Sequence, residues 1–195
     1  KIPVTVDKWQ FNSASLKIEG TDIQMMPASY QLSGTSKEGI VAEMVDVGNG
    51  TAADYEGKDV EGKIVLAGVD HFNVAWIDMY MEEAALHKAA ALVTYDNGGY
   101  GTYDDDQINV QDVCCDDLIP TVAISKNNYK SIKKALNAGN NKTTLKIDND
   151  YSLDDGVSYN VVGRYQVNLQ NNKLLFLVSM IFILDHFKMI VVRLV

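Results

Sequence analysis

A turn and strand at residues 57–66 (GKDVEGKIVL) limit the possible folds more than any other feature of this chain. The apolar strand predicted at residues 63–67 has no polar alternation, which is typical of a strand covered on both faces of a sheet. Residues 76–91 have apolar side chains three and four positions apart, a spacing that predicts a helix. Residues 91–95 predict a second buried strand, and residues 119–125 (IPTVAIS) predict a third. This order of elements predicts an α/β fold.

The remaining segments complete a mixed sheet with two main helices and additional strands. Residues 125–138 predict the second helix, in which Ser125 is the N-cap and Gly139 marks the end. We expect the helices on one side of the sheet and further strands on the other. These strands are predicted at residues 4–6 and 15–18 (two short strands or a hairpin), 40–47, 143–147 and 157–162.

Each predicted helix has an apolar stripe that is expected to face the sheet. His87 on the first stripe is expected to be a core or edge histidine with satisfied hydrogen bonds, and Glu82 and Glu83 are expected to be solvated. The stripes comprise Trp76, Met79, Tyr80, Ala84, His87 and Ala91 in the first helix, and Tyr129, Ile132 and Leu136 in the second.

The charge balance excludes one class of partner. The chain carries 26 acidic and 17 basic residues, a formal net charge of −9, and no cluster of Lys or Arg. Such a surface repels phosphate backbones, so we expect no nucleic-acid binding. We expect no membrane span either, because the apolar run at residues 174–184 is too short to cross a bilayer.

The two cysteines, Cys114 and Cys115, are neighbours in the sequence. A disulfide between them would form a strained ring, so two buried free thiols are the favoured interpretation, and the redox compartment stays open. The chain starts at Lys1 without a recognisable signal segment. We therefore expect that a leader was removed and that the protein is extracellular or in the cell envelope.

Five segments occur in an order that resembles the protease-associated (PA) domain of di-zinc aminopeptidases of the aminopeptidase Y and glutamate carboxypeptidase class. The resemblance extends from about residue 18 to residue 164. It implies a swivelling β/β/α domain with no catalytic function of its own. The segments are residues 28–30 (ASY), 57–66, the helix-to-strand region 84–95, Ile119-Pro120 and 158–163 (SYNVVG).

The resemblance also implies where the chemistry of the family lies. A strand like residues 158–163 opens the catalytic domain, whose His, Asp and Glu side chains hold two zinc ions and the general base. The three histidines of this chain, His71, His87 and His186, do not match that pattern. We therefore expect no catalytic residue, metal ligand or cofactor here, although the parent family consists of zinc metallo-aminopeptidases.

The resemblance implies a lid that shapes access to a peptidase active site, with a peptide substrate or the missing catalytic domain as partner. The predicted substrate-facing residues lie in two loops after strands: Asp70, His71 and Asn73 in the first, and Asn97, Tyr100 and Tyr103 in the second. The alternative is a stand-alone peptide- or protein-binding module with no link to a peptidase.

The C-terminal tail differs in character from the rest. We predict a PA-like domain over residues 1–165 and a stub of a catalytic domain, truncated or out of frame, over residues 166–195. A buried strand pair ending a truncated domain is one interpretation of the tail. The other starts from Met180-Ile181 and Met189-Ile190, because a codon boundary moved one base upstream turns each Met-Ile pair into an Asp codon. With permissive codons, the shifted frame resembles the family's metal-binding strand.

Sequencing the source gene from the codon of Asn160 to beyond Val195 tests the shifted-frame hypothesis. We expect a shifted frame to continue into His, Asp and Glu-Glu zinc motifs. An in-frame stop codon after Val195, with no such motifs in any frame, would reject the hypothesis and favour the binding-module alternative.

Overall fold

The computed structural model describes residues 1–99, 104–111, 113 and 118–163, and the backbone of residues 166–169, 172–175, 177–183 and 186–192. The chain divides into two compact units, a larger one over Trp9–Tyr151 and a smaller one that combines Lys1–Lys8 with Ser152–Val195. The predicted boundary at residue 165 stays a prediction.

The described residues contain three helices and twelve strands. The helices are α1 (Ala52–Tyr55), α2 (Ile77–Leu86) and α3 (Lys126–Asn137). The strands are β1 (Ile2–Ile18), β2 (Gln24–Met25), β3 (Ala28–Ser29), β4 (Ile40–Gly48), β5 (Ile64–Asp70), β6 (Ala91–Gly98), β7 (Thr121–Ile124), β8 (Lys142–Gly163), β9 (Gln166–Leu169), β10 (Asn172–Leu175), β11 (Leu177–Ile183) and β12 (His186–Val192).

The larger unit is organised around four neighbouring parallel strands in the order β4-β5-β6-β7. Strand β3 pairs antiparallel with β7, and the first part of β8 pairs antiparallel with β4. The predicted mixed sheet of the α/β class is therefore confirmed. Because the four central strands are parallel, their carboxyl ends lie at one edge of the sheet, where helices and loops begin.

The smaller unit consists of antiparallel pairs. The last part of β8 pairs with β11, and β11 pairs with β12 in a register that places Met180 opposite Met189. Strands β9 and β10 form a separate pair. The tail thus contains paired strands, while their burial and the origin of the tail as a truncated or out-of-frame domain stay predictions.

Strand β5 separates two hydrophobic clusters. Its alternate residues Ile64 and Leu66 belong to one cluster together with Ile132 of α3. Val65 and Val69 belong to the other together with residues of α2 such as Ile77. Since successive side chains of a strand point to opposite faces, α2 and α3 cover opposite faces of the sheet. The expectation that both helices lie on one side is wrong, because a strand apolar at every position needs a cover on each face.

The strand predictions succeeded where burial marks the strand. The strands predicted at residues 40–47, 63–67 and 91–95 are confirmed as β4, β5 and β6, and the last two continue beyond the predicted ends. The separate strands at 4–6 and 15–18 are wrong, because β1 is continuous, and those at 143–147 and 157–162 likewise belong to β8. Residues 1–8 are exposed, so burial does not mark this part of the strand.

Helix α2 shows that spacing alone does not select the buried face. Tyr80 and Ala84 are buried as predicted, but Trp76 and Met79 are 58% and 57% exposed. The helix buries Ile77 and Met81 in their place. Both sets satisfy three- and four-residue spacing in a segment with apolar residues on most sides, so contact with the sheet decides between them.

The predicted end of α2 differs from the structure, whereas the predicted start of α3 agrees with it. Helix α2 ends at Leu86, before the predicted end, and Lys88 follows with a φ of 56°. Helix α3 is confirmed: the Ser125 hydroxyl accepts a hydrogen bond from the backbone N–H of Asn128 at 3.2 Å, as an N-cap does.

No helix among the described residues has the length and apolarity that crossing a membrane requires.

Gly50 lies where α2 comes closest to the loop after β4. It has a φ of 66°, and a Cβ atom there would lie 2.9 Å from Cδ1 of Tyr80 and 3.0 Å from Cβ of Ala67. Gly57 has a similar φ of 71°, but a Cβ atom there would meet nothing within 4 Å. Substitution of these two glycines therefore distinguishes the cost of backbone strain, which both positions share, from the cost of steric overlap, which only Gly50 adds.

We predict that Gly50→Ala lowers the free energy of unfolding by roughly 2–4 kcal/mol, because it adds an overlap with Tyr80 to left-handed strain. The control Gly57→Ala is expected to cost about 1 kcal/mol, from strain alone. Urea denaturation followed by circular dichroism measures both. Equal losses in the two variants would contradict the tight contact between Gly50 and Tyr80.

Candidate functional site

Three aspartates mark the carboxyl edge of the parallel strands. Asp46 lies near the end of β4, Asp70 is the last residue of β5, and Asp96 lies near the end of β6. In open α/β sheets, ligands bind most often at this edge, outside the carboxyl ends of the strands. The chemistry of the edge therefore depends on whether these carboxylates are free or engaged.

Two of the three carboxylates form ion pairs with helix α3. Nζ of Lys133 lies 2.6 Å from Oδ2 of Asp46, and Nζ of Lys126 lies 3.5 Å from Oδ2 of Asp96. The two lysines are seven residues apart and therefore share a face of the helix. The hydrogen bond to Asp46 raises the pKa of Lys133. These pairs hold the start and middle of α3 against the sheet.

The third carboxylate, Asp70, organises the turn that follows β5. Its Oδ1 accepts hydrogen bonds from the backbone N–H groups of Phe72 at 3.0 Å and Asn73 at 2.9 Å. Its Oδ2 accepts one from Nδ2 of Asn73 at 2.9 Å, and its backbone oxygen accepts one from the N–H of Val74 at 3.1 Å. The hydrogen bonds from Asn73 lower the pKa of Asp70. Asp70 thus fixes the backbone of the turn.

His71 is buried beside this turn, with 6% of its surface exposed. Its Nδ1 atom has no hydrogen-bond partner within the described part of the chain, and its ring centroid lies 6.5 Å from that of Trp76. Burial lowers the pKa of His71, although the negative charges of Asp96 and Asp70 oppose this effect. Burial therefore favours the neutral form of the imidazole.

The end of β6 lies next to the same turn. Asp70 pairs with Gly98 in the register of β5 and β6. A Cβ atom on Gly99 would lie 3.8 Å from Cδ2 of His71 and 3.9 Å from Oδ1 of Asp96, so Gly99 adjoins both side chains. Oδ1 of Asp96 is buried and, among the described residues, has no hydrogen-bond partner.

The structure places four of the six predicted substrate-facing residues on neighbouring strand ends. Asp70, His71 and Asn73 belong to the turn after β5, and Asn97 lies near the end of the adjacent strand β6. Nδ2 of Asn97 donates a hydrogen bond to Oδ1 of Asn49 at 3.0 Å. The other two predicted residues, Tyr100 and Tyr103, lie outside the described residues, as do Cys114 and Cys115.

The sequence alone did not reveal the ion pairs that Asp46 and Asp96 form with α3. Two signals were available: an aspartate late in each of the first three parallel strands, and lysines seven residues apart on the predicted second helix. Neither signal is specific without the register of the strands, because it is the parallel pairing of β4, β5 and β6 that brings their ends to one edge.

Zinc does not fit the donor groups at this edge. The described residues contain no cluster of three or more His, Cys, Asp or Glu side chains that could hold a metal ion. The oxygens of Asp70 accept hydrogen bonds from the turn, and the ammonium group of Lys126 lies against Asp96. A zinc ion would have to displace these partners and would meet a positive charge.

The second histidine, His87, contacts two neighbouring side chains. Nε2 of His87 lies 3.1 Å from Oε1 of Glu83, and the ring stacks on Tyr55 with centroids 4.5 Å apart. This confirms the interpretation of His87 as an edge histidine with satisfied hydrogen bonds. Glu82 is exposed as expected, whereas Glu83 is partly buried by its contact with His87.

Comparison with known proteins identifies part of the larger unit. Residues 37–132 match the family model described as the PA domain. This segment is a PA domain. A curated relative, the minor extracellular protease Vpr of Bacillus subtilis, is 30% identical over 116 residues, which are 60% of this chain and 13% of the relative. The matched segment thus makes up a small part of that protein.

Solved structures of aminopeptidases share this fold. The aminopeptidase from Aneurinibacillus sp. strain AM-1 is 24% identical with a TM-score of 0.63, covering 87% of this chain and 39% of the aminopeptidase. A zinc aminopeptidase from Bacillus subtilis is 18% identical with a TM-score of 0.60, covering 85% of this chain and 36% of its own. A peptidase precursor from Shewanella amazonensis is 19% identical with a TM-score of 0.57, covering 84% and 40%. The chain spans well under half the length of these proteins.

We predict that His71→Gln removes part of the pH dependence of stability. The unfolded chain takes up the histidine proton as the pH falls through about 6.5, before the folded protein does, so stability is lost on acidification in this range. Urea denaturation at a series of pH values measures the free energy of unfolding. The variant is expected to lose less stability than the parent between neutral and mildly acidic pH. An unchanged pH dependence in His71→Gln would show that the buried imidazole does not resist protonation.

Proposed function

We propose that this chain is the non-catalytic PA domain of a zinc aminopeptidase-like protein and acts as a lid over its substrate-binding site. The observation that carries the proposal is the set of ion pairs and hydrogen bonds formed by the aspartates at the carboxyl edge. Among the described residues of this edge, each of the three aspartates has an oxygen engaged by a lysine or by the turn, and no cluster of side chains there could hold a metal ion. The edge can still offer shape and hydrogen bonds to a peptide.

Within this proposal, the predicted lid residues have different roles. Asn73 and Asn97 are exposed amides, which can donate to and accept from the backbone of a peptide. Asp70 fixes the turn that carries Asn73, and His71 is buried beside this turn. Tyr100 and Tyr103 are proposed as aromatic contacts on the same lid.

The partner that completes this function is a catalytic domain. That domain would hold the zinc ions, polarise the scissile carbonyl and activate water, while this chain controls which peptides reach it. The similarity to zinc aminopeptidases and the small share of their length that the chain covers support this division of work. The name of the extracellular relative supports secretion, so we propose an extracellular or cell-envelope location.

The full chain is expected to show no hydrolysis of aminoacyl p-nitroanilides, with or without added zinc. The purified chain is assayed next to the Aneurinibacillus aminopeptidase as a positive control. Hydrolysis that a chelator abolishes would overturn the proposal, because it would require a metal site in this chain.

A chimera tests the lid role directly. The PA segment of the Aneurinibacillus aminopeptidase is replaced by residues 9–151 of this chain, and cleavage of dipeptides and longer peptides is compared with that of the parent enzyme. We expect an active chimera with a changed ratio of the two rates, and an Asn73→Ala, Asn97→Ala chimera that shifts this ratio again. Unchanged ratios in both chimeras would favour the stand-alone binding module.

A further inference from the structure

The hydroxyl group of Tyr80 contacts the backbone of Asp70, the last residue of β5. The backbone N–H of Asp70 donates a hydrogen bond to Oη of Tyr80 at 3.0 Å, and the hydroxyl donates to the backbone oxygen of Asp70 at 3.4 Å. Tyr80 lies on the buried face of α2, with 2% of its surface exposed. One buried hydroxyl therefore serves both backbone groups of the residue at which the turn after β5 begins.

The ring of Tyr80 is supported by the loop after β4. A Cβ atom on Gly50 would lie 2.9 Å from Cδ1 and 3.4 Å from Cε1 of Tyr80, so the ring packs directly against the backbone of Gly50. Asn49, which precedes Gly50, accepts a hydrogen bond through Oδ1 from Nδ2 of Asn97 at 3.0 Å, and this bond links the loop to β6. The ring therefore has a fixed support, which limits how far its hydroxyl can move from Asp70.

The carboxylate of Asp70 extends this connection to Asn73. Its Oδ1 accepts a hydrogen bond from the backbone N–H of Asn73 at 2.9 Å, and its Oδ2 accepts one from Nδ2 of the same residue at 2.9 Å. Asn73 is exposed, and the lid proposal assigns it to peptide contact. Hydrogen bonds thus connect the buried face of α2 through Asp70 to Asn73. A group that is held in place before binding loses less conformational entropy when a peptide arrives.

We propose that Tyr80 is a positioning residue that holds Asp70, and through it Asn73, in the arrangement that contacts peptide. Tyr80 is buried and does not touch the peptide itself. The inference rests on the proposed lid function and deepens it, because it assigns the orientation of a peptide-contacting amide to one hydroxyl group of α2. A tyrosine that only fills the core would act through its ring, so removal of the hydroxyl alone distinguishes the two roles.

Tyr80→Phe in the full chain tests the inference, because it keeps the ring against Gly50 and removes only the hydroxyl. Nuclear magnetic resonance measures the hydrogen exchange of the backbone N–H of Asn73 and the titration of the Asp70 carboxyl group. We expect this exchange to become about five- to tenfold faster, since the turn loses hydrogen bonds that hold its first residue. The hydrogen bonds from Asn73 lower the pKa of Asp70, so this pKa is expected to rise when the turn loosens.

Two other buried tyrosines provide matched controls. Tyr30 is 1% exposed and its hydroxyl lies 3.1 Å from Oγ1 of Thr94, so Tyr30→Phe also removes a buried hydrogen bond. Tyr55 is 1% exposed and its hydroxyl has no hydrogen-bond partner within the described part of the chain, so Tyr55→Phe removes a hydroxyl alone. Both controls are expected to leave the exchange of Asn73 and the titration of Asp70 as they are in the parent chain.

Gly50→Ala is a second variant that acts on Tyr80 through the ring. Its added Cβ atom overlaps the ring, so we expect it to change the same two measurements although the hydroxyl is kept. Gly57→Ala is the control, because a Cβ atom there would meet nothing within 4 Å. This control is expected to change neither measurement.

Cleavage kinetics of the chimera connect Tyr80 to the lid role. In the chimera that carries residues 9–151 of this chain, Tyr80→Phe is expected to raise KM for longer peptides about threefold and to leave kcat unchanged. The reason is that the substitution alters a peptide contact and leaves the catalytic domain as it is. Tyr30→Phe in the same chimera is expected to keep both constants.

The outcomes distinguish failure of this inference from failure of the lid role. Unchanged exchange and titration in Tyr80→Phe, with circular dichroism confirming that it is folded, would overturn the inference whatever the chimeras show. Equal changes in Tyr30→Phe would also overturn it, because a general loss of stability would then explain them. An unchanged KM in the Tyr80→Phe chimera would overturn it as well, if the Asn73→Ala, Asn97→Ala chimera changes its cleavage ratio. Changes in Tyr80→Phe as expected, with cleavage ratios that no chimera alters, would support the positioning of Asn73 and overturn the lid role.

Discussion

Burial of strand β5 on both faces is the constraint from which the larger unit follows. The strand is buried from Ile64 to Val69, so each of its faces must be covered by separate elements. Helix α2 supplies one cover and helix α3 supplies the other. Parallel neighbours β4 and β6 pair with its two edges, since a strand without exposed faces cannot have an open edge without leaving backbone groups unpaired.

This arrangement also determines the chemistry of the carboxyl edge. Parallel pairing brings the carboxyl ends of β4, β5 and β6 to one side, and an aspartate lies at or near the end of each strand. Lys126 and Lys133 of α3 pair with two of these aspartates, and the amide groups of a turn donate hydrogen bonds to the third. These contacts attach α3 to the sheet and fix the turn after β5. The aspartates at this edge thus stabilise the fold and also shape the surface of the candidate site.

A fixed turn between β5 and α2 connects the core to the proposed roles in peptide recognition. Both carboxylate oxygens of Asp70 accept hydrogen bonds from this turn, and the side chains of Phe72, Asn73 and Val74 in the turn are apolar or amide groups. Among the described residues, this surface suits recognition better than chemistry, because it offers amide groups and apolar area but no cluster of side chains that could hold a metal ion.

The sequence by itself determined the α/β class, the central strands β4, β5 and β6, helix α3 with its Ser125 cap, and the resemblance to PA domains, because burial on both faces and local capping leave direct signals. It also placed Asp70, His71, Asn73 and Asn97 at strand ends. Only the tertiary structure decided that α2 buries Ile77 and Met81 and exposes Trp76 and Met79, and that β1 and β8 are continuous. It also decided that lysines of α3 neutralise Asp46 and Asp96. The physical reason is that helix orientation, strand pairing and ion pairs depend on groups far apart in the chain, which local periodicity does not record.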